Sequence, residues 1–186
     1  MTCALLEGGA NHPGWWDGPD RYHNINRSEV AQIQRDTFFK TIEVLTGGVG
    51  VDIGAGNTKI GNALRLDIHS SGDILGRGEM LPLKNESLDY IFSCHSLEHI
   101  PDTENTLKDW MRVLKQGGIM AVVMPDKRHF THDPNVTTDG ETARNEATPG
   151  EILAILKRLP DAKILLFNTR NNNFDFEFLI KKERIM

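Results

Sequence analysis

Residues 49–69 read VGVDIGAGNTKIGNALRLDIH, and two short apolar runs in it each end in an acid, Asp52 and Asp67. Val49–Ile53 and Asn62–Ile68 have the length and β-branched content of buried strands. In an open α/β sheet the ligand sits beyond the carboxyl ends of the strands, which is where both acids stand. A carboxylate there can accept two hydrogen bonds from a vicinal diol, which points to a ribose. Gly54 and Gly56, just after the first acid, let the backbone approach a ligand closely. Only Asn57 to Gly61 then separate the glycine bend from the second strand. So short a segment reaches about 17 Å extended and about 7 Å as a helix. A parallel crossover ordinarily takes roughly a dozen residues or more. The first crossover helix is therefore expected to be missing or reduced to a turn.

Further along, strand and helix patterns alternate. Residues 1–27 are rich in Gly, Pro, Asn and Trp and lack periodicity, so they read as an arm or lid. Residues 28–186 read as one domain. From Ser28, the residues Val30, Ile33, Phe38, Ile42 and Leu45 recur at helical spacing, with Gly47-Gly48 as a stop. Leu88–Ser93 and Ile119–Met124 read as buried strands, and Asp102–Lys115 as a helix closed by Gly117-Gly118. TPGE at Thr148–Glu151 is a capping box opening a helix to about Leu159. Lys163–Phe167 and Phe174–Ile180, joined by Asn-rich sequence, read as a hairpin. The pattern implies an open α/β sheet, mostly parallel, with an antiparallel end.

Composition narrows the function classes. The 186-residue chain carries a formal net charge of −5 with its basic residues scattered, unlike the concentrated cationic face that a duplex requires. Cys3 and Cys94 have no metal-ligand partner at short spacing, so no zinc site or disulfide framework is expected. No apolar run approaches the roughly 20 residues of a membrane span, and no basic segment leads into an apolar run at the N-terminus. A cytoplasmic location is expected, with no nucleic-acid or membrane partner.

A dinucleotide is the obvious rival ligand for the glycine bend. Its G-x-G-x-x-G fingerprint would place a third glycine at Lys59, and Asp52 would bring negative charge towards a pyrophosphate. A nucleoside with a positive centre fits better. The stretch GEMLPLKNESLDYIFSCHSLEHIPDTENTLKDWMRVLKQGG then adds a strand, a helix and a glycine stop in a specific order. Together with DIGAGN, the acid of LRLDI and LKQGGIMAVVMP, it resembles the class I S-adenosylmethionine-dependent methyltransferases of the small-molecule branch, over about Val49–Pro125.

That resemblance implies a Rossmann-like seven-stranded sheet whose last two strands form a hairpin, and S-adenosyl-L-methionine as cofactor. It implies that Asp52, Gly54, Gly56 and Asn57 line the methionine end and that Asp67 takes the ribose hydroxyls. Ile68 would lie against adenine, Met80 and Leu81 near its edge, and Cys94 and His95 near the methylthio region. One departure is Arg77, which stands where many relatives carry an acid for the adenine amine. Asp73 and Glu79 are the nearest acids, so adenine recognition is expected to rest on backbone groups.

The acceptor side is read from PDKRHFTHD, after the strand ending at Met124. His129 is the expected general base, with His132 and Asp133 behind it. Spacing supplies no third ligand to the two histidines, so no metal is expected. His99 in LEHI is expected to be structural. Trp15, Trp16, Tyr22 and His23 could close the arm over the site or pin it to the sheet. SCHS stands where nucleic-acid amino-methyltransferases carry a D/N/S-P-P-aromatic motif. PDKRHF loosely resembles a loop of methyltransferases of sugars and surface polysaccharides. The leading expectation is an O-methyltransferase of a small molecule or sugar. A non-catalytic S-adenosylmethionine-binding module is the alternative, and a nicotinamide oxidoreductase is disfavoured by Lys59 and Asp52.

Overall fold

The computed structural model describes residues 48–56, 60–68, 72–129, 146–169 and 175–183. The expected arm over 1–27, the expected helix from Ser28, and Asn57, His132 and Asp133 lie outside these residues. Seven strands form one sheet: β1 Gly50–Ile53, β2 Leu64–Asp67, β3 Ile74–Leu75, β4 Leu88–Cys94, β5 Leu114–Pro125, β6 Ala162–Thr169 and β7 Asp175–Lys182. Their order is β3-β2-β1-β4-β5-β7-β6. All neighbours are parallel except β5–β7 and β6–β7, which are antiparallel. The expected mostly parallel sheet with an antiparallel C-terminal hairpin is therefore the observed one.

Both faces of the central strands are buried, and their side chains alternate between two apolar clusters. Along β5, Met120, Val122 and Met124 point to one cluster while Ile119, Ala121 and Val123 point to the other. Period-two alternation with both faces apolar explains why these strands read as continuous hydrophobic runs. The first cluster is covered by α1 (Thr103–Val113) and α2 (Pro149–Leu156), through Leu107, Trp110, Met111, Ile152 and Leu156. Ile60 and Ala63, from the β1–β2 connection, pack into the second. The described residues of that connection form turns at Gly54, Gly56 and Gly61–Asn62 and no helix. This agrees with the short spacing.

Several boundaries differ from the sequence reading: α2 ends at Leu156, short of the expected Leu159, and β2 spans Leu64–Asp67 within the expected Asn62–Ile68. α1 stops at Val113, two residues before Lys115, because Leu114 already pairs with Leu88. The Gly117–Gly118 turn sits inside β5, where the register shifts between Leu88 and Tyr90, instead of closing the helix. β3 carried no sequence signal: only Ile74 and Leu75 pair with β2. This edge is held by Asp73, whose Oδ2 accepts from Arg65 N–H at 2.9 Å, and by Gly76 N–H donating to Asp67 O at 2.9 Å.

The capping box at α2 is complete: Thr148 Oγ1 accepts from Glu151 N–H at 3.2 Å and Glu151 Oε2 accepts from Thr148 N–H at 2.7 Å. Thr148→Ala is expected to destabilise the fold by about 1 kcal/mol. The readout is a lowered urea midpoint at constant m-value.

Candidate functional site

The strand order reverses between β1 and β4, and a cavity of about 290 Å³ opens beyond the carboxyl ends of β1, β2 and β4. That crevice is where open α/β sheets bind ligands. Its size suits a nucleoside-sized group. Ile53, Gly54 and Gly56 follow or end β1, Leu66, Asp67 and Ile68 end β2, and His95, Ser96, His99 and Ile100 follow β4. The remaining wall is the Gly76–Glu79 segment after β3.

Asp67 is tied to the glycine bend: Gly56 N–H donates to its Oδ2 at 2.8 Å. Gly54 and Gly56 have φ of +70° and +54°, values that side-chain-bearing residues avoid. A Cβ on Gly54 would stand 1.8 Å from Ser96 Oγ, so the bend and the turn after β4 are in direct contact. Among the described residues other than its chain neighbours, nothing lies within 4 Å of where a Cβ on Gly56 would be. A carboxylate at a glycine bend, in a wall of mixed polar and apolar side chains, suits a ribose diol. The residues present therefore fit a nucleoside cofactor.

His95 adopts φ +53°, and its N–H donates to Val123 O at 3.0 Å. A non-glycine residue in this region persists when its surroundings over-determine it. Its ring lies between two acids that are each about 1 % exposed. Nδ1 is 3.6 Å from Glu98 Oε1 and Nε2 is 3.5 Å from Asp175 Oδ1. His99 Nε2 approaches the same Glu98 oxygen at 3.9 Å. Burial pushes the Glu98 carboxyl up, but His95 and His99 outweigh it and hold the group below the usual carboxylate range.

The Gly76–Glu79 wall hangs from α1. Trp110 Nε1–H donates to Gly78 O at 2.8 Å, and Leu81 N–H donates to Asp109 Oδ2 at 2.7 Å. Arg112 donates to Leu83 O at 2.9 Å, Leu81 O at 3.1 Å and Asp109 Oδ1 at 2.7 Å. Arg77 Nε donates to Glu79 Oε2 at 2.9 Å, so an acid does reach the cavity wall, two residues after the expected position. Asp73 is bound to Arg65 and is not part of the wall.

Of the residues singled out from sequence, the cavity brings together Gly54, Gly56, Asp67, Ile68, Arg77, Glu79 and His95, and also His99, which was expected to be structural. Asp52 is fully buried and lies outside the wall; Cys94 packs in the second apolar cluster. Leu81 belongs to the main core and Met80 is 77 % exposed, so neither lines the cavity. His129 is on a turn, its N–H donating to Asp126 O at 2.9 Å, and is also outside the wall. Asp126 is bound by Arg128 Nε at 3.0 Å, and Lys127 Nζ donates to Glu151 at 2.8 Å. Two acids of the acceptor-side segment's neighbourhood thus serve the stem after β5. Sequence reading missed Trp110, Asp109, Glu98 and Asp175. The first three share a chain segment with the resemblance, but only folding brings Asp175 to His95.

Residues 46–122 match the family model described as a methyltransferase domain. A protein of solved structure, a SAM-dependent methyltransferase from Aquifex aeolicus, superposes with a TM-score of 0.62 at 12 % identity, over 84 % of this chain and 94 % of that one. The fold is that of the class I methyltransferases. Demethylmenaquinone methyltransferase of Staphylococcus saprophyticus is 32 % identical over 72 residues, which is 39 % of this chain and 31 % of that protein. The chain thus spans about a third of the length of the curated relatives it matches. The [4+2]-cyclase SpnF also shares the fold, with a TM-score of 0.60 at 12 % identity, over 81 % of this chain and 82 % of that one. Fold alone therefore does not specify the reaction. No helix among the described residues is long and apolar enough to cross a membrane.

Two outcomes follow from this geometry. Trp110→Phe keeps an aromatic ring but removes the donor to Gly78 O. It is expected to cost about 1 kcal/mol and to weaken S-adenosylhomocysteine binding several-fold by calorimetric titration. Glu98 ionises below its ordinary value near 4.5 in the folded protein, so its contribution to stability is present above that pH and lost as pH falls through the depressed value. Thermal midpoints of the wild type should decline on acidification below about pH 4.5, and Glu98→Gln should flatten that decline.

Proposed function

We propose that this protein transfers a methyl group from S-adenosylmethionine to an oxygen of a small hydroxylated acceptor, a sugar or related molecule. The observation that carries the reading is the Asp67 carboxylate, held by Gly56 N–H in the wall of a nucleoside-sized cavity at the switch point of the sheet. Asp67 would take the ribose diol, and Ile68 and the Gly76–Glu79 segment would flank the base. The methionine end would lie along the glycine bend and the His95–Ser96 turn. When bound, the cofactor supplies a methyl group on a positively charged sulfur. The chain's task is alignment and exclusion of water, which in well-oriented systems lowers a barrier by up to roughly 7–11 kcal/mol. The relatives named as demethylmenaquinone methyltransferases support a small-molecule acceptor.

Oxygen as the accepting atom requires removal of a proton as the O–C bond forms. His129, with His132 and Asp133, is one source of a base, from the segment after β5. The second reading, a binding module without turnover, is favoured by the short β1–β2 connection.

Asp67→Ala is expected to weaken S-adenosylhomocysteine binding by at least about tenfold, the equivalent of about 1.4 kcal/mol. An unchanged dissociation constant removes the ribose assignment, and binding of NAD in place of S-adenosylhomocysteine removes the methyltransferase reading. Labelled-methyl uptake across sugars, phenols and amines should favour oxygen acceptors. Uptake by none of them, with intact cofactor binding, selects the binding module.

A further inference from the structure

Ser96 lines the cavity where the turn after β4 meets the glycine bend. It stands at the N-cap of the short 3₁₀ helix Leu97–His99, a place where a serine hydroxyl ordinarily accepts from a backbone N–H. Here it makes no capping bond. Its Oγ donates instead to Cys94 O at 3.3 Å, longer than the roughly 2.7–2.8 Å usual between two oxygens. The same oxygen sits against Gly54, where a Cβ on that residue would be. A hydroxyl has one proton and two lone pairs. With the proton directed at Cys94 O, what Ser96 offers a ligand is acceptor capacity.

The charges beside it have the matching sign. His95 precedes Ser96, and its two ring nitrogens face Glu98 at 3.6 Å and Asp175 at 3.5 Å. Both acids are about 1 % exposed. Burial pushes the Glu98 carboxyl up, yet its histidine neighbours hold it below the usual carboxylate range. The His95 nitrogens thus serve the two acids and not the cavity. Arg77, the guanidinium of the wall, is taken up by Glu79 on the segment after β3.

We propose that Ser96 Oγ receives the α-ammonium of the cofactor's methionine end, and so selects ligands that carry this amine over nucleoside thioethers that lack it. This rests on the methyltransferase reading above and deepens it by naming the group that recognises the amino-acid end. The ammonium brings three N–H donors. One meets Ser96 Oγ, whose own proton stays on Cys94 O. A carboxylate at the same place would need that proton, and would stand near two buried acids of its own sign. The polarity of the hydroxyl and the charge behind it therefore choose the same group of the amino acid. A bond from a charged donor is also stronger than one between neutral groups. Asp67 is tied to Gly56 and Ser96 to Gly54, so ribose and amine are held to one bend. The sulfur lies between those two groups in the ligand, and fixing both aligns it.

The test needs no acceptor. The full chain is titrated calorimetrically with S-adenosylhomocysteine and with its desamino analogue, in which hydrogen replaces the amine. The wild type is expected to bind S-adenosylhomocysteine tighter by about tenfold, as loss of a charge-assisted bond implies. In Ser96→Ala that gap should narrow at least about threefold, because S-adenosylhomocysteine weakens while the analogue binds as before. Equal affinity of the two ligands for the wild type overturns the proposal. So does a Ser96→Ala protein that keeps the full gap, or that weakens both ligands by one factor, as a purely structural role or a contact with the ligand carboxylate would. Each of these leaves the methyltransferase reading standing. Failure of both ligands to bind the wild type overturns that reading and this inference together. Should Ser96→Ala not fold, Ser96→Cys, whose sulfur is a weak acceptor, replaces it with the same expected narrowing; an unchanged gap there is equally decisive against the proposal.

Discussion

The register of β1 between β2 and β4 is the constraint from which the site follows. Ile53 stands opposite Leu66 on one side and Ser93 on the other. Because the pairing is parallel, the three strands finish on one line. The residues next in sequence, Gly54, Asp67 and the Cys94–His95 pair, emerge together at the same edge. A slip of one residue would turn every side chain of β1 to the opposite face and detach Asp67 from the bend. Such a slip is costly, since it would exchange Val51 and Ile53, both in the main core cluster, with Gly50 and the buried Asp52.

The far wall is less intrinsic to the sheet. β3 is two residues long, and the segment that follows it has few regular backbone partners. α1 supplies what the strand does not. Trp110, Asp109 and Arg112, on the side of the helix facing this segment, take up Gly78 O, Leu81 N–H, Leu81 O and Leu83 O. A helix whose apolar stripe builds the core thus also shapes the cavity, by side chains that hydrogen-bond an otherwise irregular backbone.

Electrostatics divide the cavity. Asp67 is a carboxylate met by a backbone N–H, suited to neutral hydroxyls. At the His95 turn, two buried acids meet one or two imidazoles, so the charge there depends on protons. Burying Glu98 and Asp175 without cationic partners would be costly. The left-handed backbone at His95 is the conformation in which its ring sits between them.

Much of this was legible in the chain. Alternating apolar runs, the acids ending two of them and the TPGE box identify the strands, the sheet class and the start of α2, because local periodicity and capping are properties of neighbouring residues. Asp67 and the glycine bend were readable for the same reason. Met80 and Leu81 were read from a resemblance as near the adenine edge, and they directly follow the Gly76–Glu79 wall. Yet packing buries Leu81 in the core and turns Met80 to solvent, while Gly76–Glu79 form the wall. β3 was invisible because two residues carry no period. The pairing of His95 with Asp175 could not be read at all. It joins the end of β4 to the start of β7 through antiparallel pairing across β5, and such long-range proximity is decided by sheet order, which only the packed tertiary structure determines.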